Sequence, residues 1–516
     1  MSSPSSPVAP RLGSSRVAEL SRRLVVGPGA STHEVVSPLS GMPLAQLPLS
    51  SAADVRRAIS TARAAQPDWA ATPLPSRAAV LLRLHDLLLA HQVELLDLVQ
   101  RESGKARFHA FEELADASIV ARHYGLRGAA YLRTTRTTGA FLALTQAEIV
   151  RQPIGVVGIV TPWNYPLTIP TTDSLPALLA GNAVVLRPDP QTTLTMLAVA
   201  ELLAEAGLPD GVLQVVSGGA EIGQAVVEQA DYVAFTGSTA VGRIVGRLTG
   251  ERLVGSSLEL GGKNALYVRA DADLPRAVLG ARGAAFASGG QLCMHTERLL
   301  LHEAIADEFL DRFIPAVESM RIGTALEFGY DMGSLLGPAQ LERTQRHIAD
   351  ALARGATLLA GGRHRPDLGP FVHEPTVLAD VTSDMLCHGE ETFGPVLVVR
   401  RVRDDDEAVA LANDTAYGLN ASIWSRDVRI ARALARRVRT GSVNINEGYA
   451  ATWATPAAPL GGRGQSGHGR RHGSEGILRY TESQTITAQH VTGFGPPLEL
   501  TEERWAGILS GAFGLL

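Results

Sequence analysis

Between residues 155 and 248, short apolar runs alternate with amphipathic ones, and this alternation constrains the fold more than any other feature of the chain. The runs 155–160, 183–186, 214–216 and 232–235 have strand length and no polar alternation, the pattern of strands buried on both faces. Residues 173–180, 193–206, 220–228 and 240–248 read as helices, with Gly207 closing the second. Strands of this kind, each followed by a helix, predict a parallel sheet covered on both faces. The second half repeats the pattern less regularly. Strands are expected at 265–268, 396–401, 422–424 and 442–445, and helices at 274–287, 304–320, 338–354, 405–413 and 428–437.

The flanking segments differ. Ser51 and Asp54 give a capping signal for the first of several helices over 51–132, including one predicted at 77–99. Residues 134–152 and 480–490 read as extended structure. Residues 1–30 are rich in Ser, Pro and Gly and predict a poorly ordered arm. The Gly-rich stretch 457–476 predicts a loop with His468 and His472 solvated, and 501–509 a short amphipathic helix.

Composition narrows the function classes. A net charge of −5 gives no field that would attract nucleic acid. Cys293 and Cys387 are the two cysteines, too few for a disulfide framework and suited to a reducing cytoplasm. No apolar run approaches the ~18 residues needed to span a bilayer, and no signal peptide is read at the N-terminus. The histidines show no metal-ligand spacing, so no metal is expected.

Several turns carry candidate chemistry. Cys293 follows a Gly-Gly-Gln turn rather than standing inside an apolar run; a lone cysteine is most often a small buried hydrophobe, and the turn favours a reactive thiol instead. Upstream, Glu259 precedes two glycines in Glu259-Leu-Gly-Gly-Lys-Asn264. Asn164 lies just beyond the strand 155–160, where an amide could donate to a developing oxyanion or serve as a turn residue. Gly237, Ser238 and Gly242 open the helix after 232–235, a place for a phosphate, although no Gly-x-Gly-x-x-Gly fingerprint is present. Arg187 ends the strand 183–186, and Glu391 and Phe393 lead into a Gly-Pro turn.

Taken together, Pro162-Trp-Asn-Tyr-Pro-Leu167, Phe235-Thr-Gly-Ser-Thr-Ala-Val-Gly-Arg243, Glu259-Leu-Gly-Gly-Lys-Asn264, Gly290-Gln-Leu-Cys293 and Glu391-Thr-Phe-Gly-Pro395 resemble the aldehyde dehydrogenase superfamily, from about Arg22 to about Gln489. Arg187-Pro-Asp-Pro-Gln-Thr192, Asn444-Ile-Asn-Glu-Gly-Tyr449 and Gly469-Arg-Arg-His-Gly-Ser-Glu-Gly476 look like an actinobacterial succinate-semialdehyde dehydrogenase subgroup. The resemblance implies two doubly wound parallel-sheet α/β domains and a small β oligomerisation arm. Residues 31–133 and 154–260 would bind the dinucleotide, 261–465 would carry the catalytic cysteine, and 134–153 with 479–492 would form the arm, leaving 493–516 as a tail. A homodimer or homotetramer is implied.

The resemblance also implies roles. Cys293 would be the nucleophile, Asn164 the oxyanion donor and Glu259 the base that activates water. Trp163, Arg187, Gly237, Ser238, Gly242, Glu391 and Phe393 would bind the dinucleotide, with Lys263 supporting the loop around Glu259. Three departures stand out. Arg187 occupies the family's usual Lys position, and Pro190 the position of a Glu common in NAD-preferring members, so NADP is expected, with NAD open because Asp189 is near. Ala287 stands where succinate-semialdehyde enzymes carry a carboxylate-gripping Arg, leaving Arg127, Arg133 or the loop 446–453 as substitutes. His295 replaces a second cysteine, so no redox disulfide is expected. The expected substrate is succinate semialdehyde, with a general aliphatic or aromatic aldehyde as the alternative. A cofactor-independent cysteine hydrolase and a catalytically silent relative stand further off.

Overall fold

The strand Val156–Val160 is buried at every position, and a strand with no exposed face needs cover on both sides. Its alternate residues supply two cores. Val157 and Ile159 pack with Leu81, Leu84 and Leu175, whereas Val156 and Val160 pack with Val55, Ile59, Ile222 and Val226. Burying each such aliphatic side chain contributes about 1.5–3 kcal/mol. In this computed structural model, which describes residues 12–138, 145–490 and 494–514, the strand belongs to a six-stranded sheet. The order is Gly467–His468, Gly255–Glu259, Tyr232–Thr236, Val156–Val160, Ala183–Arg187, Leu213–Val215. Every neighbouring pair is parallel except the first.

The second sheet has seven strands, ordered Thr357–Ala360, Thr376–Ala379, Val396–Val402, Thr296–His302, Asn264–Val268, Asn420–Trp424, Ser442–Ile445. It is parallel except for its first pair. Two doubly wound sheets therefore match the expected fold class. A third, antiparallel sheet of Thr481–Gln489, Thr145–Pro153 and Thr135–Thr138 is largely exposed. Part of the extended segment expected at 134–152 lies outside the described residues.

The first sheet places the functional turns. From Val156–Val160 the chain steps outward to Ala183–Arg187 and Leu213–Val215, then returns to the other side for Tyr232–Thr236 and Gly255–Glu259. Ligands bind outside the carboxyl ends of strands at such a reversal. The turns at Thr161–Asn164, Gly237–Ser238 and Glu259–Gly261 converge there.

Several elements differ from the sequence reading. The arm expected at 1–30 is partly docked: Ser14–Ser21 is a helix with Leu20 fully buried, and Leu24 bridges Val215; residues 1–11 lie outside the described residues. The helix expected at 77–99 is two, Leu74–Ala90 and Gln92–Ser103, broken at His91. A hairpin, Thr32–Val36 with Pro43–Pro48, and the strand Gly255–Glu259 were not expected. The segment 457–476 is not a solvated loop. It contributes Gly467–His468 to the first sheet, and His472 is only 3% exposed. The expected C-terminal helix runs Glu502–Phe513, capped by the Thr501 hydroxyl.

The capping signal at Ser51 is realised as a full capping box. The Ser51 hydroxyl accepts from the Asp54 N–H at 3.2 Å, and the Asp54 carboxylate accepts from the Ser51 N–H at 2.8 Å. Ser51→Ala is expected to cost about 1 kcal/mol. A melting temperature equal to the parent's would show that the cap contributes nothing.

Candidate active site

Asn164 is fixed at both of its ends. Its carbonyl accepts from the buried Lys105 Nζ at 2.7 Å, and its side-chain amide donates to the Gln291 carbonyl at 2.9 Å. Lys105 is itself paired with Glu113. The Glu113 carboxylate also accepts the Leu167 and Thr168 N–H groups, at 2.8 and 3.1 Å. The loop is thus tied to the helix Arg107–Leu132 on one side and to the cysteine turn on the other.

That turn is built from three successive left-handed residues, Ser288 (φ 52°), Gly289 (φ 65°) and Gly290 (φ 71°). Glycine adopts this conformation without the Cβ penalty that Ser288 bears. The Ser288 hydroxyl compensates by bonding the Tyr165 hydroxyl at 3.0 Å. Beyond the turn, the Cys293 carbonyl accepts from the Asn264 amide at 2.7 Å. Gly262 lets this loop close up, since a Cβ there would stand 2.7 Å from the same carbonyl oxygen. Burial and the nearby Glu391 and Glu259 carboxylates push the Cys293 thiol up to about 12, with Arg471 opposing them. The resting thiol is therefore protonated near neutrality.

Across the cavity, the Glu391 carboxylate accepts the Gly262 N–H at 2.8 Å. Burial and the charge of Glu297 push it up to about 7. Phe393 has φ 55° and meets the Trp163 ring edge-on at 5.6 Å. The turn is held from behind. Glu297, paired with Lys263, accepts the Thr392 N–H at 2.9 Å and the Phe393 N–H at 3.0 Å. Lys263 therefore acts on the 391–393 turn rather than on the loop around Glu259.

Glu259 ends its strand and is 7% exposed, and its Oε1 has no hydrogen-bond partner among the described residues. Burial pushes its carboxyl up to about 7, opposed by Arg471 and Arg479.

These groups meet in one cavity of about 710 Å³, within the size range of cofactor sites. Asn164, Trp163, Gly237, Ser238, Glu259, Cys293, Glu391 and Phe393 all line it. It lies between the carboxyl ends of the first sheet's strands and the amino ends of the second's, since Cys293 and Glu391 precede Thr296–His302 and Val396–Val402. Two of the expected cofactor residues stand outside its wall. The Arg187 guanidinium donates to the Gly218 carbonyl at 2.6 and 2.9 Å, and Gly242 packs beneath Leu260. Gln340, Arg343 and Tyr417 also line the cavity. Sequence reasoning passed over them because they read as ordinary polar helix and loop residues.

The sequence profile of the aldehyde dehydrogenase family matches residues 26–486. The chain belongs to the aldehyde dehydrogenase family. A Mycobacterium tuberculosis (strain H37Rv) relative provisionally named succinate-semialdehyde dehydrogenase [NADP(+)] 2 is 46% identical over 475 residues, covering 92% of each chain. Among solved structures, PnpE from Pseudomonas sp. WBC-3 has a crystal structure, 35% identical with a TM-score of 0.88, that covers 93% of this chain and 98% of its own. Succinate-semialdehyde dehydrogenase from Burkholderia pseudomallei superposes with a TM-score of 0.85 at 37% identity, covering 89% of this chain and 95% of its own.

The other flank of Cys293 in this aldehyde dehydrogenase is apolar. There the cysteine packs among Tyr165, Ile169, Ala287, Leu292, Tyr449 and Trp453. The Tyr449 hydroxyl donates to both oxygens of Glu112 at 3.0 Å. The candidate substitutes for the missing Arg do not supply a cation: Arg127 and Arg133 are exposed, and the loop 446–453 contributes Tyr449 and Trp453.

Proposed function

We propose that this chain oxidises a small aldehyde to the carboxylic acid with a nicotinamide dinucleotide, and that Cys293, Asn164 and Glu259 carry the reaction. The supporting observation is that these three side chains line one cavity with Trp163, Glu391 and Phe393, at the reversal point of the first sheet. The cavity fits a dinucleotide in three respects. Its volume suffices, the helix Thr239–Glu251 starts in its wall at Ser238, Thr239 and Ala240 and so turns a helix N-terminus suited to a phosphate toward it, and Trp163 and Phe393 offer flat apolar surface. A bound dinucleotide would supply the hydride acceptor.

The protein's own groups do the rest. The Cys293 thiol gives its proton to water in the cavity, and the thiolate attacks the aldehyde carbon, forming a thiohemiacetal. The Asn164 amide, already aimed toward the cysteine turn by its bond to Gln291, donates to the developing oxyanion. Loss of hydride leaves a thioester on Cys293. Glu259 takes a proton from water, whose oxygen attacks the thioester carbon, releasing the acid and the thiol.

Succinate semialdehyde is the first substrate reading, because mycobacterial relatives at 46% identity carry that name. An uncharged aliphatic or aromatic aldehyde is the second, favoured by Ala287, the apolar flank and the Glu112 carboxylate, which offer no grip for a substrate anion. NADP is the preferred cofactor in this reading. The same relatives are named for it, and Pro190 places no carboxylate against a 2′-phosphate; NAD stays open, since PnpE has been crystallised with it. The proposed domain division follows the sheets, with 31–133 and 154–260 around the first and 261–465 around the second. The exposed third sheet supports a homodimer or homotetramer, and two free cysteines suit the cytoplasm.

Absorbance of the reduced nicotinamide tests the reading with succinate semialdehyde and uncharged aldehydes of equal length, each with NADP and NAD. Turnover of the charged aldehyde at higher kcat/KM supports the first substrate reading, and equal or lower kcat/KM supports the second. No turnover of any aldehyde with either dinucleotide would end the proposal.

A further inference from the structure

Behind Glu259 lies a cluster of buried charges that the reaction as described does not use. Asp173, 1% exposed in the helix Thr168–Leu179, receives two guanidinium groups. Arg471 spans it, with Nε 2.8 Å from Oδ1 and Nη2 2.7 Å from Oδ2. Arg479 donates to Oδ1 at 2.7 Å. Arg471 also donates to the Thr236 hydroxyl, and Arg479 to the Ser257 hydroxyl at 3.0 Å. Both acceptors frame Glu259: Thr236 is its partner across the strand pair, and Ser257 stands two residues earlier on the same face of its strand.

One carboxylate cannot balance two buried guanidiniums. A buried positive charge left over is costly, and an ionised carboxylate nearby relieves it. Two further carboxylates stand near, each with an oxygen that has no hydrogen-bond partner among the described residues: Asp116, which feels Arg471, and Glu259, the one that feels both Arg471 and Arg479. We infer that Arg471, anchored by Asp173, is the positioning residue that holds Glu259 as the ionised base for the hydrolytic half of the reaction. This deepens the proposed function and rests on Glu259 acting as that base.

The other groups facing Glu259 are few. Arg470 comes from the same segment, with its guanidinium turned to the Gly462 and Gly469 carbonyls at 2.9 and 2.6 Å. Tyr232 lies on the neighbouring strand, and Cys293 across the cavity. His472, beside Arg471, faces Asp116 at 3.9 Å and is held neutral, its value pushed down to about 3 by burial and by Arg471. Arg479 also faces Glu259 but holds a single oxygen of Asp173, whereas Arg471 grips both oxygens and is the larger opposing charge on Glu259.

The inference predicts opposite effects from the two partners. Arg471→Met removes the positive charge, so Glu259 loses its proton at higher pH. The acid limb of the steady-state rate that follows a pre-steady-state burst should move up by about one pH unit or more. Asp173→Asn leaves both guanidiniums uncompensated, so the same limb should move down. Arg471→Lys retains the charge without the fork and should restore the limb while kcat stays reduced. In both charge variants a burst should persist, because thioester formation does not need this base, although its rate near neutrality should fall in Arg471→Met, since Arg471 also favours the Cys293 thiolate.

Limbs that stay in place, or that move the same way in Arg471→Met and Asp173→Asn, would overturn the inference. If Arg471→Met does not fold, Asp173→Asn and Arg471→Lys decide it: a limb that does not fall in the first, or that shifts in the second, has the same force. Glu259→Gln separates the two levels. If it hydrolyses its thioester at the parent rate, the proposed role of Glu259 itself fails, whatever Arg471 does.

Discussion

Cys293→Ala is expected to lower aldehyde oxidation by roughly four orders of magnitude or more, the scale on which loss of a covalent nucleophile acts. The expectation is sharp because the substitution changes little else. The cysteine turn is held by backbone and neighbouring side chains: Asn264 binds the Cys293 carbonyl, Asn164 binds the Gln291 carbonyl, and residues 288–290 keep their left-handed conformation. None of these contacts involves the sulfur. Removing one atom from a partly buried site should cost no more than about 1 kcal/mol of stability. Dinucleotide binding, read through quenching of tryptophan fluorescence with Trp163 in the cavity wall, should survive. A variant that folds, binds and does not turn over identifies the sulfur as the reacting atom. Oxidation at the parent rate would remove the covalent mechanism altogether. A cysteine hydrolase would also lose activity here, so ester hydrolysis by the parent without dinucleotide separates that reading.

The same site sets a direction with pH. The Cys293 thiol is pushed up to about 12, and Glu259 and Glu391 each up to about 7. Attack requires the thiolate and hydrolysis requires ionised Glu259, so both halves of the reaction gain as pH rises through neutrality. Without bound reactants the thiol is a poor nucleophile, for burial and the Glu391 and Glu259 carboxylates disfavour its thiolate.

Four of the six strands of the first sheet were legible in the sequence because they are mostly apolar and each is followed by a helix, whereas Gly255–Glu259 and Gly467–His468 were not. One strand that escaped notice, Thr296–His302, opens with polar residues whose burial depends on distant partners. Thr296-Glu297-Arg298 looks unlike a core strand, yet all three residues are buried. Glu297 is paired with Lys263, and Arg298 donates to the Lys263, Leu411 and Ala412 carbonyls. Those partners are tertiary and leave no periodicity to read. The break at His91 was missed for a similar reason, since neither Gly nor Pro marks it. The candidate site shows the same division. Turn residues beside strand ends, such as Asn164 and Glu259, announce themselves by position. The direction of a long side chain does not: Arg187 ends its strand as read, but its guanidinium turns to the Gly218 carbonyl. Asp173 and Arg471 were likewise invisible as a pair, being 298 positions apart.

The buried pair Lys263–Glu297 carries the largest expected effect on stability. Both side chains are 1% exposed. Lys263→Met would leave Glu297 as an uncompensated buried charge, a change that costs about 3–5 kcal/mol. The ionised form of Glu297 is the one the fold selects. Lys263 and the His295 ring, 3.3 Å away, hold it well below the usual carboxylate range despite burial. A carboxyl lowered by folding stabilises the native state at pH above its unfolded value, and that stabilisation is lost as pH falls through the folded one. The parent should therefore lose stability progressively below about pH 4.5, and Lys263→Met should lose it less steeply there. Function should follow, because Glu297 holds the Thr392 and Phe393 N–H groups and so the turn that presents Glu391 and Phe393 to the cavity. KM for the dinucleotide should rise more than KM for the aldehyde. The double variant Lys263→Met/Glu297→Gln removes the stranded charge, and should recover more than half of the lost stability without restoring cofactor affinity. Denaturant unfolding of the parent, both single variants and the double variant measures the coupling directly. A coupling near zero would mean that the pair neither supports the fold nor holds the turn.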